Sequence, residues 1–168
     1  MTKNAIQEEQ FGFRKGRSTT QAVRCLQEDK ADATRHPGGK LHAVFIDYTK
    51  AFNLFNRTLV MEKVVGIVGN SHITQLLRSI LERNFIEIDD TVSKSEPIKQ
   101  SDPLSPLLFI IATAEIPKTI AMQDVKIYIY ADDMVLVLQK SENLETAFNK
   151  LAEWAVRNDP SLNETKTV

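Results

Sequence analysis

Three aspartates stand where apolar chain gives way to polar chain. Asp132 and Asp133 are adjacent, between a β-forming run over residues 126–130 and a second apolar run over 134–138. Asp47 closes another apolar, β-rich run over 41–46, 85 residues before Asp132. Two strands joined by so short a link read as a β-hairpin, so the first pair belongs at a hairpin tip. Neighbouring carboxylates repel, and such a tip persists if it lies in water or if a cation binds there. Turns favour Asp, so a solvated Asp-Asp turn is one reading of the pair, and a strand-end cap is one reading of Asp47. Brought together from different strands, the three form a hard-oxygen site suited to Mg²⁺ or Mn²⁺. Two such ions roughly 3.5–4 Å apart are the usual device for in-line phosphoryl transfer.

The elements that must position these residues can be read in chain order. Residues 1–10 are polar and acidic. Residues 11–19 are Gly- and Arg-rich and lead into a predicted helix over 19–35, capped by Ser18 or Thr19, with Ala22, Val23 and Leu26 as its apolar face. Residues 1–40 hold eight Lys/Arg against five Asp/Glu, a local balance of +3 that is densest at Arg14, Lys15 and Arg17. Such a cluster is either a clamp on triphosphate or nucleic-acid backbone or a solvated basic loop. After a turn at His36-Pro37-Gly38-Gly39 comes the strand that ends at Asp47. Two helices are predicted over 58–69 and 71–83. The second buries a stripe of Ile73, Leu76, Leu77, Ile80 and Leu81. A strand over 85–89, a polar strand or loop over 91–99, and a helix from Ser105-Pro106 to about Pro117 follow. The hairpin and a last helix over 142–157 complete the pattern, with Trp154 closing the core edge. Helices mixed with hairpin-joined strands imply an α+β fold.

Composition sets the outer bounds. The 168 residues suit one domain, and 42% hydrophobic with 26% charged residues are ordinary globular values. A net charge of −1 gives no overall basic field. The single Cys25 cannot form an intramolecular disulfide and fits a reducing compartment. No apolar run approaches a membrane span, and residues 1–10 do not resemble a secretory signal. The expectation is an intracellular protein, nuclear or cytoplasmic, without a membrane partner.

Four motifs in order carry a family resemblance over nearly the whole chain. Tyr130-Ala131-Asp132-Asp133 resembles the active-site hairpin of reverse transcriptases. Phe45-Ile46-Asp47-Tyr48-Thr49-Lys50-Ala51-Phe52 is similar to their first palm motif, and Gln100-Ser101-Asp102-Pro103-Leu104-Ser105-Pro106-Leu107-Leu108-Phe109 to the motif between them. Phe11-Gly12-Phe13-Arg14-Lys15-Gly16-Arg17-Ser18-Thr19 resembles the stretch upstream. The wording is closest to non-LTR (LINE-type) retrotransposon enzymes. The resemblance implies a palm-like antiparallel sheet backed by helices, with part of the fingers. It divides a single partial domain, 1–168, into a fingers-like segment (1–40) and a palm-like one (41–168).

It also implies roles. An RNA-directed DNA polymerase would use two Mg²⁺ (or Mn²⁺) ions, dNTP, an RNA template and a DNA primer. Asp47 and Asp132 would be the main metal ligands, joined by the backbone carbonyl of Tyr48, with Asp133 as auxiliary carboxylate. Arg14, Lys15, Phe52, Gln100 and Ser101 would line the nucleotide site. Phe52 would lie under the sugar, although core packing beside Phe55 is an equal reading. Tyr130 would support the primer terminus, and Lys166 would protonate pyrophosphate unless it is simply a solvated tail lysine.

The chain departs from the family pattern at Ser101, where Gly is usual, at Asn53, where LINE-type enzymes carry Asp, and at Asn158-Asp159-Pro160, where a Gly-rich turn is expected. No thumb, endonuclease or Cys/His segment is visible, which implies a partner supplying thumb or fingers for processive synthesis. The alternative is a catalytically inactive retrotransposon remnant that keeps the palm fold with weak nucleic-acid or protein binding. A different two-metal phosphotransferase with a cyclase-like palm would not explain the Gln100 motif or residues 11–19.

Overall fold

The computed structural model describes residues 6–47, 57–82, 85–88, 91–94 and 103–158. A three-stranded antiparallel sheet lies at its centre, in the order β1 (His42–Ile46), β5 (Asp133–Leu138), β4 (Val125–Tyr130). Ile46 pairs with Met134, and Met134 with Ile129, so these three side chains share one face. That face is apolar in sequence: Ile46, Ile127, Ile129, Met134, Leu136 and Leu138 are all buried in the main core. Residues one place along each strand point the other way. The central strand β5 is covered on both sides, and Met134 to Leu138 are buried without a break.

Four helices back the core face: α2 (Arg57–Val68), α4 (Ser105–Thr113), the short α5 (Ile116–Thr119) and α6 (Leu144–Asn158). They contribute Val60, Val64, Phe109, Ile116, Leu151 and Trp154 to the same cluster. The predicted single helix from Ser105 to Pro117 is broken after Thr113. Pro117 has no N–H to give the Thr113 carbonyl, and its ring would collide with it; the chain turns at 114–115 and restarts as α5. Trp154 is buried in the core, 3% exposed. Its indole N–H donates to Glu115 Oε1 (2.7 Å), which also accepts from Lys63 Nζ (2.8 Å). Lys63 donates further to the Ala112 carbonyl (2.8 Å) and Asn158 Oδ1 (2.7 Å), tying α2, the α4–α5 break and α6 together. Burial would raise the Glu115 pKa, but the bonds from Lys63 and Trp154 outweigh it and hold the carboxyl below its ordinary value.

Two predicted helix faces differ in the structure. The helix α1 (Thr19–Ala33) opens on a capping box: Ser18 Oγ accepts from the Gln21 N–H (3.3 Å), and Gln21 Oε1 accepts from the Ser18 N–H (3.0 Å). Yet α1 buries no residue, Ala22, Val23 and Leu26 included. Polar contacts hold it instead, through Asp29 on the outer side of β4. In α3 (His72–Glu82), Leu81 is buried and Leu77 half-buried, but Ile73 and Leu76 are 63% and 62% exposed and Ile80 is also exposed. The inward face is Thr74, Leu77 and Leu81, and Thr74 forms a reciprocal cap with Ser71: Thr74 Oγ1 accepts from the Ser71 N–H (2.9 Å) and Ser71 Oγ from the Thr74 N–H (3.4 Å). A second hairpin follows, β2 (Phe85–Ile88) with β3 (Thr91–Lys94).

Candidate active site

The β4–β5 hairpin turns on only two residues, Ala131 and Asp132, since Tyr130 already pairs with Asp133. Asp133 is therefore the first residue of a strand, and Asp132 alone of the two carboxylates sits in the turn. Ala131 has φ 58°, the left-handed region. That conformation costs a residue with a Cβ about 1–2 kcal/mol, and a positive φ at the first of two turn residues is the pattern of a type II′ hairpin.

Strand register brings the third aspartate to the same place. Ile46 pairs with Met134, so Asp47, one residue on, follows toward Asp133, one residue back. By alternation Asp47, Asp133 and Tyr130 all belong to the face opposite the helical core. Phe45 and Val135 lie next along it, and Phe45 is 54% exposed. Asp47 and Asp132 are half-buried and Asp133 is exposed. This end of the sheet thus gathers acceptor-only oxygens on an accessible surface. Among the described residues no group of three or more His, Cys, Asp or Glu side chains is placed to hold a metal ion. The donor set fits Mg²⁺ nonetheless, because that ion is commonly held by one or two carboxylates and completed by substrate phosphates.

Residues 9–11 brace the hairpin from the β4 side. The Phe11 N–H donates to the Ile129 carbonyl (2.7 Å), and the Ile129 N–H donates to the Glu9 carbonyl (2.9 Å), which makes a short parallel contact beside β4. A Cβ on Gly12 would overlap the backbone nitrogen of Ala131, so only glycine lets the two chains approach this closely. Lower on the same face, Tyr128 donates its hydroxyl to Asp29 Oδ2 on α1 (2.5 Å), and Lys126 pairs with the other oxygen of that carboxylate. Phe11 packs against Tyr128 with ring centroids 6.1 Å apart.

The basic loop is also engaged. Arg14 Nη1 donates to the Gln7 carbonyl (2.6 Å) and the Gln10 carbonyl (3.2 Å), while Arg14 and Arg17 both pair with Glu8. Arg17 lies over the Phe11 ring, 5.1 Å from its centroid. Lys15 is exposed. Tyr130, marginally exposed, flanks Asp133 as its register partner. Tyr48, Phe52, Gln100, Ser101 and Lys166, as well as Asn53, lie outside the described residues. The residues missed by sequence reasoning are Gln10, Asp29 and Tyr128. Gly12, inside a recognised motif, was the available signal for the brace. Nothing in the sequence pairs Asp29 with Tyr128.

A hairpin presenting two aspartates beside a third strand-end aspartate, on the open face of a helix-backed antiparallel sheet, is a polymerase palm arrangement. The chain belongs to the reverse transcriptase (RNA-dependent DNA polymerase) family, whose model matches residues 1–168. It is 28% identical over 183 residues to a Drosophila melanogaster protein described as a probable RNA-directed DNA polymerase from transposon BS, covering 99% of this chain and 20% of that protein. Its fold is similar to that of telomerase from Candida albicans, solved with a fragment of telomeric RNA (TM-score 0.74, 15% identity, 90% of this chain and 30% of that one). It is equally similar to apo telomerase from Candida tropicalis (TM-score 0.75, 12% identity, 95% of this chain and 33% of that one). The chain therefore spans about a fifth of the curated relative and a third of the solved structures, and its fold is α+β with palm and fingers character.

Proposed function

We propose that this domain performs RNA-directed DNA synthesis, adding a nucleotide from dNTP to a primer 3′ hydroxyl on an RNA template. The observation that carries this reading is the convergence of Asp47 with Asp132 and Asp133 at one end of the sheet. Two bound Mg²⁺ or Mn²⁺ ions would supply Lewis-acid activation of the hydroxyl and charge neutralisation on the leaving pyrophosphate. Asp47 and Asp132 would hold them, with the Tyr48 carbonyl as a further oxygen donor and Asp133 as the auxiliary carboxylate. The open face beside Tyr130 and Phe45 would take the primer strand. Arg14 and Lys15 would meet the triphosphate, which for Arg14 requires exchanging Glu8 for phosphate oxygens. Phe52, Gln100 and Ser101 would shape the nucleotide pocket, and Lys166 would give a proton to pyrophosphate. In this reading residues 1–40 act as a fingers-like part and 41–168 as the palm.

Primer extension on an RNA template with a DNA primer, in Mg²⁺ and in Mn²⁺, tests the reading. Extension by the wild type that vanishes with Asp132→Asn supports it. A folded wild type that is silent, with Ser101→Gly also silent, would replace it with the inactive remnant. A silent wild type rescued by Ser101→Gly would keep the metal site and place the defect in the nucleotide pocket.

A further inference from the structure

Gln10 is 3% exposed and lies at the point where the N-terminal segment meets the hairpin tip. Its Oε1 accepts two backbone N–H groups at once, from Gly12 at 2.9 Å and from Ala131 at 3.3 Å. Two donors on one atom fix that atom as the oxygen. The other amide atom, Nε2, is buried with no hydrogen-bond partner among the described residues. The side chain is therefore kept for its oxygen alone, in a place where an apolar residue would avoid burying an unsatisfied donor.

The two N–H groups it joins are the ones that define the hairpin's position. Gly12 is where the bracing segment touches the tip, and Ala131 is the residue held at φ 58°, immediately before Asp132. A left-handed alanine persists only where its surroundings over-determine it. The backbone bonds of residues 9–11 reach no further along β4 than Ile129, so beside the Gly12 packing contact the Gln10 oxygen supplies the described hydrogen bond that reaches the turn itself.

We propose that Gln10 is a positioning residue, whose side-chain oxygen clamps the Ala131 peptide and so sets where Asp132 and Asp133 point. The proposal rests on reading those two aspartates as the polymerase carboxylates. It makes no contact between Gln10 and substrate or metal; the effect passes through the peptide of Ala131.

The test uses the whole chain with Gln10→Met, which keeps the length of the side chain and removes the acceptor. Gln10→Glu keeps an acceptor oxygen, and a buried carboxyl is expected to be neutral and so to mimic the amide. Two readouts are needed. Amide hydrogen exchange at Ala131 and Gly12 should speed up in Gln10→Met by about 10-fold or more while exchange in α4 and β5 is unchanged, because only a local opening is eased. In primer extension, kcat should fall by about 10- to 100-fold with KM for dNTP near the wild-type value, the pattern of misplaced catalytic groups. Gln10→Glu should restore both. Unchanged exchange at Ala131 in Gln10→Met overturns the proposal. So does a folded Gln10→Glu that loses as much as Gln10→Met, or a KM rise with kcat unchanged. If Gln10→Met unfolds, Gln10→Glu decides: wild-type protection at Ala131 supports the oxygen clamp and rapid exchange there removes it. The exchange readout stands even if the wild type extends no primer, so failure of the clamp and failure of the polymerase reading remain distinct.

Discussion

Gly12 and Ala131 carry opposite burdens at one contact. Ala131 has a Cβ in a backbone region that disfavours it, while Gly12 lacks one because there is no room. Gly12→Ala should destabilise the fold by about 1–3 kcal/mol through overlap with the Ala131 backbone. Gly16→Ala, at φ 79° with open space around its would-be Cβ, should cost only its backbone strain, about 1–2 kcal/mol. Denaturant unfolding of both variants measures this, with the added mark that Gly12→Ala also speeds exchange at the hairpin tip. Tyr128 makes a second residue-level claim. Burial, and then the Asp29 carboxylate that accepts its hydrogen bond, raise its pKa above the ordinary 10.0. A group whose folded pKa is raised stabilises fully below its unfolded value and loses that contribution as pH rises through the folded one. Tyr128→Phe should therefore cost about 1–2 kcal/mol near neutral pH, a gap that begins to narrow above about pH 10. Thermal melts at pH 7 and pH 11 check the sign.

Which face an element buries was harder to read than where it begins. Strand runs, the Ser18 cap, the Pro106 helix start and the Gly69 stop were legible because each depends on residues within a few positions of one another. Gly69 adopts φ 81° and its N–H closes on the Val65 carbonyl at 2.8 Å, as a helix-ending glycine does. Hydrophobic spacing alone lets Ile73, Leu76 and Ile80 on α3 face inward, whereas in the structure these are exposed and Thr74, bonded to Ser71, is buried. Leu81→Ala should accordingly cost about 2–5 kcal/mol, and Leu76→Ser no more than about 0.5 kcal/mol. Equal losses in denaturant unfolding would reverse that assignment. Likewise the apolar residues of α1 gave no hint that the helix is held by Asp29. That ion pair and hydrogen bond join residues nearly a hundred positions apart, and no local pattern encodes them.

On the scale of the whole molecule the two sheet faces differ. One sheet face is given to the helical core, locked by the Lys63–Glu115–Trp154 node, and the other is left open at the end where the carboxylates collect. Adjacent aspartates at a hairpin and a third at a strand end were visible in the sequence, but that they meet was implied only by the family resemblance, because it depends on the long-range pairing of β1 with β5. A net charge of −1 gives no overall basic field, and of the basic cluster Lys15 is exposed while Arg14 and Arg17 are paired to Glu8. The claim that one ion site is drawn from two strands is tested most directly by Mn²⁺ binding, followed by paramagnetic resonance in the presence of dNTP. Asp47→Asn and Asp132→Asn are each expected to weaken binding by about 10-fold or more, and the double variant to add little, because the two residues act as one unit. Wild-type Mn²⁺ affinity in either single variant would contradict the account.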